Sequence, residues 1–98
     1  MNSQTRQIVS TLSDFKARNS DKYNISTLGV FGSFARGEAK ESSDVDIAVE
    51  FSYATLFSLS RMQEELEGIF GRKVDIVSLK ASMLPGFREE IMRDIIYV

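Results

Sequence analysis

The chain has 98 residues, 43% of them hydrophobic, and one proline, which suits a single domain over residues 1–98 and leaves too little interior for two. It has no cysteine and no histidine. That excludes disulfides, thiol nucleophiles, Cys/His zinc sites and imidazole bases, so any chemistry must run on carboxylates, hydroxyls, Lys, Arg or a bound metal. A net charge of −2 predicts no strong nucleic-acid binding, and the lack of a long apolar run predicts a cytoplasmic protein with no membrane partner.

From Ser3 to about Arg18, apolar Ile8, Val9, Leu12 and Phe15 recur at helical spacing, and the run ends in the turn-prone Asn19-Ser20-Asp21. Ile25 to Phe31 is short, rich in β-branched and aromatic residues, and stops at Gly32, as a strand entering a tight turn would. Ser33 to Ser43 is polar and exposed, with room for a short helix starting at Gly32-Ser33. Asp44 to Glu50 alternates: Val45, Ile47 and Val49 share one face, and Asp44, Asp46, Ala48 and Glu50 the other. Tyr53 to Phe70 returns to helical spacing through Leu56, Leu59, Met62, Leu66, Ile69 and Phe70, with Gly71 placed as a C-terminal cap. Lys73 to Ser78 forms a third strand, Pro85 opens a last helix carrying Phe87 and Ile91, and Ile95 to Val98 adds a short edge strand. This order describes an α+β sheet covered by helices on one face, with chemistry on the uncovered face.

Asp44 and Asp46 stand two apart on one strand, so their side chains leave the same face with Cα atoms roughly 6 to 7 Å apart. Two such carboxylates repel each other unless a hard divalent cation with oxygen ligands sits between them. Asp75, inside the apolar strand KVDIVS, joins the pair if its strand lies alongside, supplying a second metal position or accepting a proton. Taken singly, a bare Asp-x-Asp is more often an exposed edge strand with solvated acids, and Asp75 alone reads as a salt-bridge partner of a nearby Lys or Arg. Gly32-Ser33 directly after a strand offers a close backbone approach, a hydroxyl and free amides to a phosphate, and Arg36 a guanidinium; by itself it is an ordinary turn. No Walker-type loop is present.

The conjunction is more specific: strand, Gly-Ser, ten intervening residues, Asp-x-Asp on a second strand, then a lone Asp on a third after one helix. In GSFARG and SDVDIAV the chain resembles the minimal nucleotidyltransferases, or MNT proteins, of the DNA polymerase β-like superfamily. The likeness is close from Val30 to Ser78 and looser through PGFREEIMRDIIYV. It implies a polymerase β-like fold with a small mixed β-sheet. It further implies that Gly32 and Ser33 hold the triphosphate of ATP or another NTP. Asp44 and Asp46 would bind magnesium, two ions when nucleotide is present, and Asp75 would complete the metal site and draw a proton from the acceptor hydroxyl.

Longer members of that superfamily carry further domains that grip an acceptor. Proteins resembling this chain are commonly paired with a HEPN toxin, onto whose tyrosine some transfer AMP. The resemblance therefore implies adenylyl transfer to a HEPN partner, with the chain as antitoxin. Two alternatives remain: an antitoxin that neutralises by contact alone, and a small-molecule nucleotidyltransferase. Leu56, Phe57, Leu59 and Met62 read as core, Glu64, Glu65 and Glu67 as a solvated helix face, and Arg72 as a surface residue.

Overall fold

The computed structural model describes residues 1–53, 55, 57–80 and 83–98. Helix α1 spans Ser3–Tyr23. It starts where the Asn2 side chain accepts the Thr5 N–H at 2.8 Å, and it buries Ile8, Leu12 and Phe15. The expected stop at Asn19-Ser20-Asp21 is overridden. The Asn19 side chain bonds back to the Phe15 carbonyl at 3.0 Å, and buried Tyr23 stacks on Phe15 with ring centroids 6.1 Å apart. This burial outweighs the weak helix propensity of the Asn-Ser-Asp triplet. The helix ends at Asn24, whose φ of 57° lies in the left-handed region that Asn tolerates.

Strand β1 covers Ile25–Phe31, as its β-branched pattern predicts, and runs into the short helix α2, Gly32–Arg36. Strand β2 is Val45–Phe51, one residue later at each end than the alternation suggested. Helix α3 is Ser58–Phe70 and not Tyr53–Phe70. The reason is local: the Thr55 N–H donates to the Ser58 hydroxyl oxygen at 3.1 Å, forming a turn ahead of the helix. Phe57 is consequently 63% exposed at the helix entry instead of in the core, while Met62 and Leu66 are buried as expected. Leu56 lies outside the described residues. Gly71 closes α3 with φ 66°. Strand β3 is Val74–Ser78, helix α4 is Pro85–Asp94 with its proline at the start, and strand β4 is Ile96–Tyr97.

The strands form one sheet in the order β3-β2-β1-β4. β1 is antiparallel to both β2 and β4, whereas β2 and β3 are parallel, joined by the α3 crossover. The sheet is thus mixed, as the resemblance implied. Leu28, Val30, Val45, Ile47, Val49, Val74 and Ile76 make one face apolar, and α1 and α3 cover it with Ile8, Leu12, Phe15, Met62 and Leu66.

The opposite face is only partly open, which corrects the expectation of helices on one face alone. Ala48 is fully buried, together with Leu79 and Ile91 of α4. Small residues make this possible. A Cβ at Gly29 would stand 2.8 Å from both the Ile95 side chain and the Ile96 carbonyl oxygen, so glycine there lets the α4–β4 junction lie flat on β1. Burying Ile91 contributes about 2 to 3 kcal/mol. What stays uncovered is the end of that face carrying Asp46 and Asp75. No described helix is long and apolar enough to cross a membrane.

Candidate active site

Gly32 terminates β1 and turns the chain into α2 with φ +72°, a conformation that costs little only for glycine. The antiparallel register sets Phe31 opposite Asp46, so this turn falls directly on the acid. A Cβ at Gly32 would overlap Asp46 Oδ2 and stand 2.9 Å from Asp46 Cγ. The glycine is therefore required twice, by its own backbone and by the carboxylate packed against it. α2 is anchored from behind: Phe34 is buried, and its carbonyl accepts the hydroxyl of buried Thr5 in α1.

The parallel register of β2 and β3 sets Asp46 beside Asp75, with Cα atoms about 5 Å apart on neighbouring strands. Asp44 immediately precedes β2 on the same side. Asp46 and Asp44 are half-buried and Asp75 is exposed. The Asp46 carboxyl is pushed above its ordinary value, first by burial, then by the charges of Asp75 and Asp44, while Arg36 pulls it down. The condition set in the sequence, that Asp75 joins the Asp44–Asp46 pair if its strand lies alongside, is thus met by the register.

Among the described residues, none of these carboxylates pairs with a Lys or Arg, and no set of three acidic side chains is drawn together tightly enough to enclose an ion. Hard oxygen donors of like charge, two of them half-buried with no cation partner among the described residues, are a donor set that fits a divalent metal ion.

Helix α3 and the residues after it hold the acids in place. Gln63 Nε2 donates to the Val74 carbonyl at 3.1 Å, and the Val74 N–H donates to Glu67 Oε2 at 3.0 Å, so both backbone groups of the residue before Asp75 are fixed. Glu67 is therefore no idle member of a solvated face, and Glu65 accepts the Tyr23 hydroxyl at 3.0 Å. Arg72 also does more than coat the surface. It donates to the Ser43 carbonyl at 3.1 Å, just before Asp44, and its guanidinium lies 5.1 Å from the centre of the Phe34 ring.

Beside Gly32, α2 and α4 enclose a cleft of about 290 Å³ whose walls include Phe31, Arg36, Phe87, Glu90 and Asp94. Ser33 lies half-buried next to Gly32. Arg36 reaches this cleft but is not free: it donates to Asp94 at 2.9 Å and to Glu38 at 3.3 Å. The α4 residues of this wall carried no signal in the sequence, because Phe87, Glu90 and Asp94 sit at ordinary helical spacing and gain meaning only where α4 crosses the sheet.

Residues 7–98 match the family described as "Polymerase beta, Nucleotidyltransferase". Over 93 residues the chain is 39% identical to protein adenylyltransferase MntA of Thermococcus cleftensis, covering 94% of this chain and 93% of the relative. A solved structure assigned provisionally as a minimal nucleotidyltransferase superposes with a TM-score of 0.72 at 38% identity, over 93% of this chain and 89% of that one. The fold also recurs, with a TM-score of 0.60 at 18% identity, over 96% of this chain and 67% of a chain in the tri-AMPylated Shewanella oneidensis HEPN toxin in complex with MNT antitoxin. This chain belongs to the polymerase β nucleotidyltransferase family and is a nucleotidyltransferase.

Proposed function

We propose that this chain transfers AMP from ATP, with magnesium, to a hydroxyl of a protein partner, a HEPN toxin that it thereby neutralises as antitoxin. The observation that carries the reading is the register of Asp46 with Asp75 at the point where Gly32 packs on Asp46. Likeness along nearly its whole length to a protein adenylyltransferase supports AMP as the group moved, and the fold shared with a chain from a HEPN–MNT complex supports the partner.

Gly32 and Ser33 would hold the triphosphate through a close backbone approach and the Ser33 hydroxyl, with Arg36 on its distal oxygens. Asp44, Asp46 and Asp75 would hold magnesium, which when bound offsets their mutual repulsion and the charge of the triphosphate. A carboxylate oxygen of Asp75 takes the proton of the acceptor hydroxyl. That hydroxyl oxygen bonds to the α-phosphorus as the bond to the bridging oxygen breaks, and pyrophosphate leaves. Asp75 is exposed on an edge strand, β3, the side from which a bulky acceptor can arrive without crossing α4.

The test uses ATP labelled in the α-phosphate, magnesium and the purified HEPN partner. Label appears on the partner with the wild-type chain and vanishes with the Asp44→Asn/Asp46→Asn double variant, which also stops neutralising the toxin. Full neutralisation by that variant, with no label transferred by either form, would replace this reading with neutralisation by contact.

A further inference from the structure

Asp94 occupies an unfavourable place for an acid. It is the last residue of α4, where the helix dipole presents partial negative charge and a carboxylate is disfavoured. Its side chain is only 23% exposed. What compensates is one contact, the 2.9 Å hydrogen bond from Arg36 Nη1 to Asp94 Oδ2, which joins α4 to α2 across 58 residues of sequence. Glu38 takes the Nε edge of the same guanidinium at 3.3 Å. Two carboxylates thus grip the group from different sides, on the wall of the cleft that begins at Gly32.

The grip fixes where the guanidinium points. Arg36 alone, at the end of a five-residue helix, would have the freedom of a long surface side chain. Bonded to Asp94 and Glu38 it stays near the acids, close enough for its charge to be felt at Asp46. The placement of Asp94 is itself set by the chain beyond it, since the Ile95 side chain lies against Gly29 and Ile96 pairs with Val30.

We propose that Asp94 is a positioning residue for nucleotide binding: it holds Arg36 so that the remaining guanidinium N–H groups face the β- and γ-phosphates of a triphosphate seated at Gly32-Ser33. This rests on the nucleotide reading given above. Ordering Arg36 in advance spares the cost of fixing a long side chain when ligand arrives. The effect should be confined to ligands that carry distal phosphates.

The test is titration of the wild-type chain and of Asp94→Asn, Asp94→Glu, Arg36→Gln and Arg36→Gln/Asp94→Asn with AMP-PNP and with AMP, each with magnesium, after thermal melts establish that every variant is folded. Asp94→Asn should weaken AMP-PNP about 10-fold and leave AMP within about twofold. Asp94→Glu should recover most of the loss, and Asp94→Asn should add nothing once Arg36 is Gln. Tighter or unchanged AMP-PNP binding in Asp94→Asn, an equal loss for AMP, or a further loss in the Arg36→Gln background would each overturn the proposal. Failure of the wild-type chain itself to bind AMP-PNP would instead overturn the nucleotide reading beneath it.

Discussion

Gly32 and Asp46 are mutually exclusive with any larger residue at position 32: a single added carbon there would overlap the Asp46 carboxylate. The turn between β1 and α2 is therefore shaped around the acid, and the acid's side chain is confined by the turn.

Gly32→Ala should lower stability by about 1 to 3 kcal/mol, combining the strain of a positive φ with the displaced carboxylate, and should abolish nucleotidyl transfer. The two costs separate in a double-mutant cycle followed by denaturant unfolding. In an Asp46→Ala background, where the carboxylate is gone, Gly32→Ala should cost only the backbone part. Strict additivity would show that the two residues are not coupled.

Asp46 also makes stability depend on pH. Its folded value is raised above the ordinary 3.8, chiefly by burial and then by Asp75 and Asp44. Between 3.8 and that higher value the folded chain binds more protons than the unfolded chain. Stability from this group is thus fully present below 3.8 and lost as pH rises through the folded value. Asp46→Asn should accordingly melt higher than wild type at pH 7, with the gap closing as pH falls toward 4. Melting curves at several pH values check this. A wild type that outlasts the variant at neutral pH contradicts it.

A divalent ion should narrow the same gap from the other direction. Added magnesium should raise the melting temperature of wild type, EDTA should reverse the rise, and Asp44→Asn/Asp46→Asn should show neither effect.

Asp75→Asn keeps shape and polarity but removes the base, so kcat should fall about 10²- to 10⁴-fold, while β3 stays in place through Gln63 and Glu67. Steady-state rates with the protein acceptor, beside unchanged circular dichroism, measure this. Activity within twofold of wild type would remove Asp75 from proton transfer.

Thr5→Val replaces a buried hydroxyl that donates to the Phe34 carbonyl by a methyl of similar size. The carbonyl keeps one partner, the Gly37 N–H at 3.2 Å, so the loss should be about 1 to 2 kcal/mol in denaturant unfolding.

Much of this arrangement is legible in the sequence alone, because it rests on local rules. β1 could be read from ISTLGVF, the start of α4 from Pro85 and the end of α3 from Gly71. The family motif named Gly32, Ser33, Asp44, Asp46 and Asp75 together. What escaped depended on distant partners. Nothing near Asn19 announces that Tyr23 will stack on Phe15 and prolong α1. Alternation placed Ala48 on the open face, and only the crossing of α4 buries it. Arg36 read only as a guanidinium offered to phosphate, and its bond to Asp94 escaped because that partner is far away in sequence.

The alternation of β2 has one more consequence. Val45, Ile47 and Val49 are fully buried on one side, while Asp46 belongs to the other. A pairing slip of a single residue would turn the acids into the apolar interior and the valines out to water. Half-registered chains are thus penalised so heavily that they neither persist nor work. In a preparation of mixed quality, specific activity therefore counts correctly folded molecules, and poor samples should show fewer active sites instead of slower ones.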